Sequence, residues 1–132
     1  MTNLHTLSPP EHVFALDAAK LRQPDVTFWT AWDGQLLLGC GALKELSPTD
    51  GEVKSMRTPQ ALRRRGAGRA ILQTIVDAAR RRGYATVYLE TGSHPDFLPA
   101  QRLYESFGFA RCGQFGDYVE NGNSVFMRLS LG

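Results

Sequence analysis

Arg63-Arg64-Arg65-Gly66-Ala67-Gly68 sets three cations and two glycines directly ahead of an amphipathic run, Arg69-Ala-Ile-Leu-Gln-Thr-Ile-Val-Asp-Ala-Ala. Glycine removes the Cβ where a phosphate must approach the backbone. A helix over the run would add N–H groups without intrahelical partners and the positive end of its dipole. That combination suits a pyrophosphate. The spacing is neither G-x-G-x-x-G nor G-x-x-x-x-G-K-[ST], so the common dinucleotide and triphosphate loops do not fit. Charge placement points the same way. Arg57, Arg63, Arg64, Arg65, Arg69, Arg80, Arg81 and Arg82 lie between positions 57 and 82, with Asp77 the only acid there. The last three fall at a helix end, where cations suit the dipole. The first cluster sits at a helix start, where an anionic ligand would explain it.

Other reactive side chains are sparse. Cys40 and Cys112 are too few and too isolated for a disulfide framework or a zinc site, and read as reduced thiols. His94 reads as a plain loop residue, and His5 and His12 as surface groups. No Ser–His–Asp order or metal-ligand spacing stands out, so no metal is expected. The chain has 132 residues, 42% of them hydrophobic and 21% charged, with a net charge of +2. These values fit one globular domain over residues 1–132. No apolar run approaches the ~20 residues of a membrane span, and the N-terminus lacks signal-peptide blocks. A cytoplasmic location is expected.

The elements that must position the loop follow from periodicity. Ser8-Pro9-Pro10-Glu11 reads as a capping box opening a short helix that ends before Pro24. Val26 to Trp32 and Gln35 to Leu43 read as strands joined at Asp33-Gly34, and Glu52 to Thr58 as a third. Trp29 and Trp32, three apart, should face opposite sides of their strand. The helix after the loop carries Ile71, Leu72, Ile75, Val76 and Ala79 on one face and stops at Gly83. Ala85 to Glu90 is a strand, and strand–helix–strand makes a parallel crossover. A helix from Ala100 to Phe107 and a closing antiparallel pair, Phe109 to Gln114 with Ser124 to Ser130, complete the chain.

Arg63-x-x-Gly66-x-Gly68 fits the pattern [QR]-x-x-G-x-[GA], and Ala100 through Phe109 fits A-x-x-L-Y-x-x-x-G-F at every fixed position. With the intervening elements, the chain from about 26 to 130 resembles the GNAT superfamily of acetyl-CoA-dependent N-acetyltransferases. The resemblance implies an α/β (α+β) fold: a mixed, mostly antiparallel central sheet with a splayed parallel strand pair and flanking helices. It implies acetyl-CoA as co-substrate, with pyrophosphate held by Arg63, Arg64, Arg65, Gly66, Ala67, Gly68, Arg69 and Ala70. The pantetheine arm would lie along Met56, Arg57 and Thr58, where one N–H can serve as an oxyanion donor. Ala100, Leu103 and Tyr104 would line the same arm.

By the same resemblance Tyr104 is the acid that meets the thioester sulfur, and Glu52 the base that deprotonates the acceptor amine. Glu90, ending the next parallel strand, is a rival for that duty, because parallel strands bring their carboxyl ends together. The acceptor would be a primary amine of a small molecule or peptide, attacking directly in a ternary complex. Its site would include the loop around Gly116-Asp117-Tyr118.

Two departures stand out. Phe97, counted among the cofactor-binding residues, occupies the position where many members carry an asparagine that contacts pantetheine. That contact is therefore lost, supplied by backbone or replaced by apolar packing. The segment before Val26 shows no convincing strand, so the usual edge strand is expected to be absent. A partner subunit, as in a homodimer, the N-terminal tail or a misassigned start would each account for the exposed edge. Two other classes stay open: a CoA-binding regulatory domain that has lost catalysis, and a nucleic-acid-binding module using the arginines. The second lacks a binding motif and aromatic residues among the basic ones.

Overall fold

The computed structural model describes residues 25–57, 66–115, 118 and 122–131, with the backbone alone for 3–7 and 55. Seven strands form one sheet in the order β1-β2-β3-β4-β5-β7-β6. They are β1 (Asn3–Leu7), β2 (Val26–Asp33), β3 (Leu36–Ser47), β4 (Asp50–Arg57), β5 (Thr86–Gly92), β6 (Ala110–Cys112) and β7 (Ser124–Ser130). Two helices are described, α1 (Ala67–Arg81) and α2 (Leu98–Ser106). Every strand pairing is antiparallel except β4 with β5. No described helix is long and apolar enough to cross a membrane.

The expectation of a missing edge strand is corrected. Asn3–Leu7 pairs antiparallel with Phe28–Trp32. Five residues including Asn3 carry little intrinsic β signal, and strand formation here follows from a long partner. The bare edge that suggested a second subunit is therefore occupied. The helix expected between Ser8 and Pro24 lies outside the described residues. The β2–β3 turn differs by one residue from the sequence reading. Asp33 still pairs with Leu36, which leaves Gly34 and Gln35 as the loop, with Gly34 at φ +59°.

Alternation sorts the sheet into two faces. Trp29, Ala31, Leu43, Val53, Val87, Leu89, Met127 and Leu129 share one core with the predicted face of α1. Phe28, Cys40 and Ala42 are buried on the other face. Trp29 and Trp32 do face opposite sides: Trp29 is in the core, while the Trp32 indole N–H donates to Thr30 Oγ1 at 2.7 Å.

Only Asp50 to Val53 of β4 pair with β5, opposite Thr86 to Leu89. Beyond that point β4 stays on β3, where Arg57 faces Cys40, and β5 stays on β7, where Gly92 faces Ser124. A bulge helps to open this gap. Between Lys54 and Arg57 two β4 residues face the single Gly41 of β3, and such an insertion twists its strand. Gly41 is required there. A Cβ would meet Met56 Sδ at 2.6 Å and Ile71 Cγ2 at 2.8 Å.

Both helices end in the same way. After α1, Gly83 N–H donates to Arg80 O and Tyr84 N–H to Ala79 O. After α2, Gly108 N–H donates to Glu105 O and Phe109 N–H to Tyr104 O. Each pair is a Schellman closure with glycine at positive φ, +81° and +100°. In the second, Phe109 and Tyr104 make the accompanying apolar contact, ring edge to face at 6.0 Å. Gly108→Ala is therefore expected to cost about 1–2 kcal/mol, from the left-handed backbone. Its Cβ would also stand 3.2 Å from Leu129 Cδ1. Urea unfolding of the variant checks this.

Candidate active site

The start of α1 leaves backbone N–H groups ahead of its first helical bond. Gly66 takes φ +81° as the residue before the helix and makes no side-chain cap. The first helical bond runs from Ala70 N–H to Gly66 O at 3.0 Å. The N–H groups of Ala67, Gly68 and Arg69 precede it, and the first turn holds no acid to neutralise them. Gly66, Ala67, Gly68, Arg69 and Ala70 thus lie together as the sequence implied. Thr58, Arg63, Arg64 and Arg65 fall outside the described residues.

Arg69 links the two helices. Its guanidinium donates to Ser106 Oγ at 3.1 Å and sits 5.3 Å from the Phe107 ring centre. A surface groove of ≈ 250 Å³ runs alongside, lined by Arg69, Gln73, Val76, Arg80, Ser106 and Phe107. Met56 packs against the core and Arg57 is exposed, both on the stretch of β4 that has left β5.

Across the gap, Gln101 Nε2 donates to Gly92 O at 2.8 Å and pins α2 to the carboxyl end of β5. Tyr104 lies one turn further on, 7% exposed, and burial pushes its phenol up to about 12. Ala100 and Leu103 pack against the core beside it. Phe97 lies in the short 3-10 turn just before α2. It is 45% exposed and its ring covers Gly92, where a Cβ would meet it at 2.4 Å.

On the opposite face of the sheet Glu52 is 3% exposed and its carboxylate accepts the Tyr118 hydroxyl at 2.7 Å. Tyr118 packs edge to face on Phe115 at 5.1 Å and contacts Phe126 at 5.6 Å. Phe115 stacks on Tyr88 at 4.8 Å. Burial first, then the Glu52 hydrogen bond, then the Glu52 and Glu90 charges raise the Tyr118 phenol above its ordinary value. Glu90 itself is exposed and accepts from Ser124 Oγ at 2.5 Å. Glu52 and Tyr104 therefore approach the β4–β5 divergence from opposite faces.

Sequence reasoning named Tyr118 only as part of a loop. Its bond to Glu52 spans 66 positions, and no local pattern encodes it. Gly116 and Asp117 lie outside the described residues. His94 has a local task, accepting Asp96 N–H at 3.1 Å to cap a short 3-10 turn. Among the described residues no group of three His, Cys, Asp or Glu side chains could hold a metal ion.

The raised phenols, Tyr84 among them, have a consequence for stability. Below pH 10 both the folded and unfolded chains keep the Tyr104 proton. Between 10 and about 12 only the folded chain does, so stability present below pH 10 is lost as pH rises. The slope is about 1.4 kcal/mol per pH unit for each such group. Urea midpoints from pH 9 to 11.5 should fall, and Tyr104→Phe should flatten the fall.

Comparison with known proteins agrees with this architecture. Residues 2–109 match the family model for the acetyltransferase (GNAT) family. The chain is 52% identical over 132 residues to the uncharacterized N-acetyltransferase YsnE of Bacillus subtilis (strain 168), covering 98% of this chain and 87% of that one. It is 46% identical over 124 residues to the uncharacterized N-acetyltransferase YedL of Escherichia coli (strain K12), covering 94% and 78%. A Bacillus subtilis acetyltransferase solved in complex with CoA superposes with a TM-score of 0.78 over 99% of both chains, and at 19% identity this shows the fold. With a GNAT sheet split at β4–β5 and a family match over most of its length, the chain belongs to the acetyltransferase (GNAT) family and is an acetyl-CoA-dependent acyltransferase.

Proposed function

We propose that the chain transfers an acetyl group to a primary amine by direct attack in one ternary complex. The observation that carries this is the gap past Val53, with the uncapped start of α1, Tyr104 and Glu52 arranged about it. When bound, acetyl-CoA supplies a thioester carbonyl to be attacked and a thiolate to be released. The α1 N–H groups of Ala67, Gly68 and Arg69 hold the pyrophosphate, with Arg63, Arg64 and Arg65 adding charge. The groove beside Arg69 and Arg80 takes the nucleotide end. Met56 to Thr58 line the pantetheine arm, opposite Ala100, Leu103 and Tyr104, and one β4 N–H steadies the oxyanion.

Glu52 takes the ammonium proton of the acceptor, directly or through a water, which frees the nitrogen lone pair. The C–N bond forms and the C–S bond breaks, the nitrogen gives its second proton to water, and the Tyr104 hydroxyl donates a hydrogen bond to the departing sulfur. Glu52 then returns its proton to solvent. The thiolate takes its proton from solvent on release. An acyl-enzyme is not needed. Cys40 is buried, and Cys112 lies on β6, beyond β7 from the gap, with its thiol pushed up by burial against a smaller lowering by Arg128. Neither thiol is in a disulfide, which fits a reducing, cytoplasmic setting.

On the acceptor side the two carboxylates suit an ammonium, and the rings of Tyr88, Phe115, Tyr118 and Phe126 suit an apolar flank. 2-Phenylethylamine has both features and is the probe of choice. Acetyl-CoA should raise the melting temperature logarithmically with its concentration, by the equivalent of about 2.7 kcal/mol at a hundred times Kd. Thiol should then be released when the amine is added. No shift at millimolar acetyl-CoA sinks the donor reading. A shift with no turnover of any primary amine leaves a CoA-binding domain without catalysis.

A further inference from the structure

Glu52 is a carboxylic acid buried inside a sheet, where a polar group needs a hydrogen-bond partner. Among the described residues its cross-strand partners are Lys44 on β3 and Tyr88 on β5. Lys54 on β4, Glu90 on β5 and Arg128 on β7 share its face by alternation. Its carboxylate is instead hydrogen-bonded by the Tyr118 hydroxyl, at 2.7 Å. A carboxylate offers about four acceptor sites, so one phenol leaves room for an acceptor N–H or a water.

The donor is itself fixed. Phe115 and Phe126 contact the Tyr118 ring at 5.1 and 5.6 Å, and they contact each other at 5.7 Å. Phe126 belongs to β7, so this ring cluster is anchored in the sheet rather than carried by the loop alone. Packing would be served equally well by phenylalanine at 118. The hydroxyl has one evident use, which is the carboxylate.

We infer that Tyr118 is the positioning residue for proton removal from the acceptor: its hydroxyl fixes one oxygen of Glu52, and the aromatic cluster fixes the hydroxyl. The inference rests on Glu52 being the base. A neutral donor on this carboxylate favours its ionised form, the only form that can accept a proton. The Tyr118 phenol itself stays protonated through neutral pH, so the bond is present wherever the enzyme works.

The test uses the full chain labelled with 13C-glutamate, with the Glu52 carboxyl signal assigned by its loss in Glu52→Gln. Tyr118→Phe keeps the ring contacts and should move the Glu52 protonation midpoint upward by about one pH unit. The acidic limb of kcat/KM for 2-phenylethylamine should move with it, and kcat at neutral pH should fall about tenfold. The KM for acetyl-CoA should not change. Phe115→Leu, which loosens the ring but keeps the hydroxyl, should give a smaller shift in the same direction. A midpoint that stays put in Tyr118→Phe overturns the inference while leaving Glu52 as base. A midpoint that moves while the activity limb does not removes Glu52 from catalysis, and the inference falls with it.

Discussion

Tyr104→Phe is expected to lower kcat about 10²–10³-fold, with the KM for acetyl-CoA unchanged, because one donor is removed from a charge that develops in a dry site. The phenol keeps its ring contact with Phe109 and its place in the core, so the variant should fold. The raised value near 12 decides what the hydroxyl does. A model thiol ionises near 8.5, so complete transfer from such a phenol to a thiolate is uphill by roughly 5 kcal/mol. A hydrogen bond to the leaving sulfur is the favourable contribution, and it needs the proton to stay on the phenol. The activity of the parent protein should therefore show no loss from Tyr104 ionisation below about pH 11. Steady-state kinetics from pH 6 to 10 on both proteins checks this. Full turnover by Tyr104→Phe across that range would remove the role.

Glu52→Gln is expected to cost about 10²–10³ in kcat/KM at neutral pH, the usual worth of a positioned base. The amide is isosteric and its oxygen can still accept the Tyr118 hydroxyl, so the change isolates proton acceptance from packing. Its pH profile should change shape. The acidic limb set by the carboxyl disappears, and the rate instead rises tenfold per pH unit toward the amine's own ionisation, because only already neutral amine can attack. At high pH the two proteins should converge. An unchanged acidic limb would transfer the duty to Glu90 or to water.

The sequence was informative where chemistry follows from local spacing. The apolar face of α1 and the glycines that end both helices are local patterns, the parallel crossover follows from the strand–helix–strand order, and all are present. The left-handed Gly66 that opens α1 was legible for the same reason. What escaped is non-local. β1 has little strand propensity of its own and exists through pairing with β2. The bulge opposite Gly41 depends on side chains from α1 and β4 converging on one missing Cβ. The Tyr118–Glu52 bond joins a loop near the end of the chain to a strand in its middle. Periodicity carries no trace of such meetings.

The short contact between β4 and β5 also has a mechanical meaning. Among the described residues, four residue pairs stitch the four-strand half of the sheet to the three-strand half, with α1 bridging them as the crossover. The seam and the proposed donor cleft are then the same line. Amides on either side should exchange with solvent as two separate cooperative units, and Val53 and Leu89 should be the weakest ladder between them. A molecule lying in the cleft would complete the stitching, so donor binding and the cohesion of the whole sheet become one equilibrium.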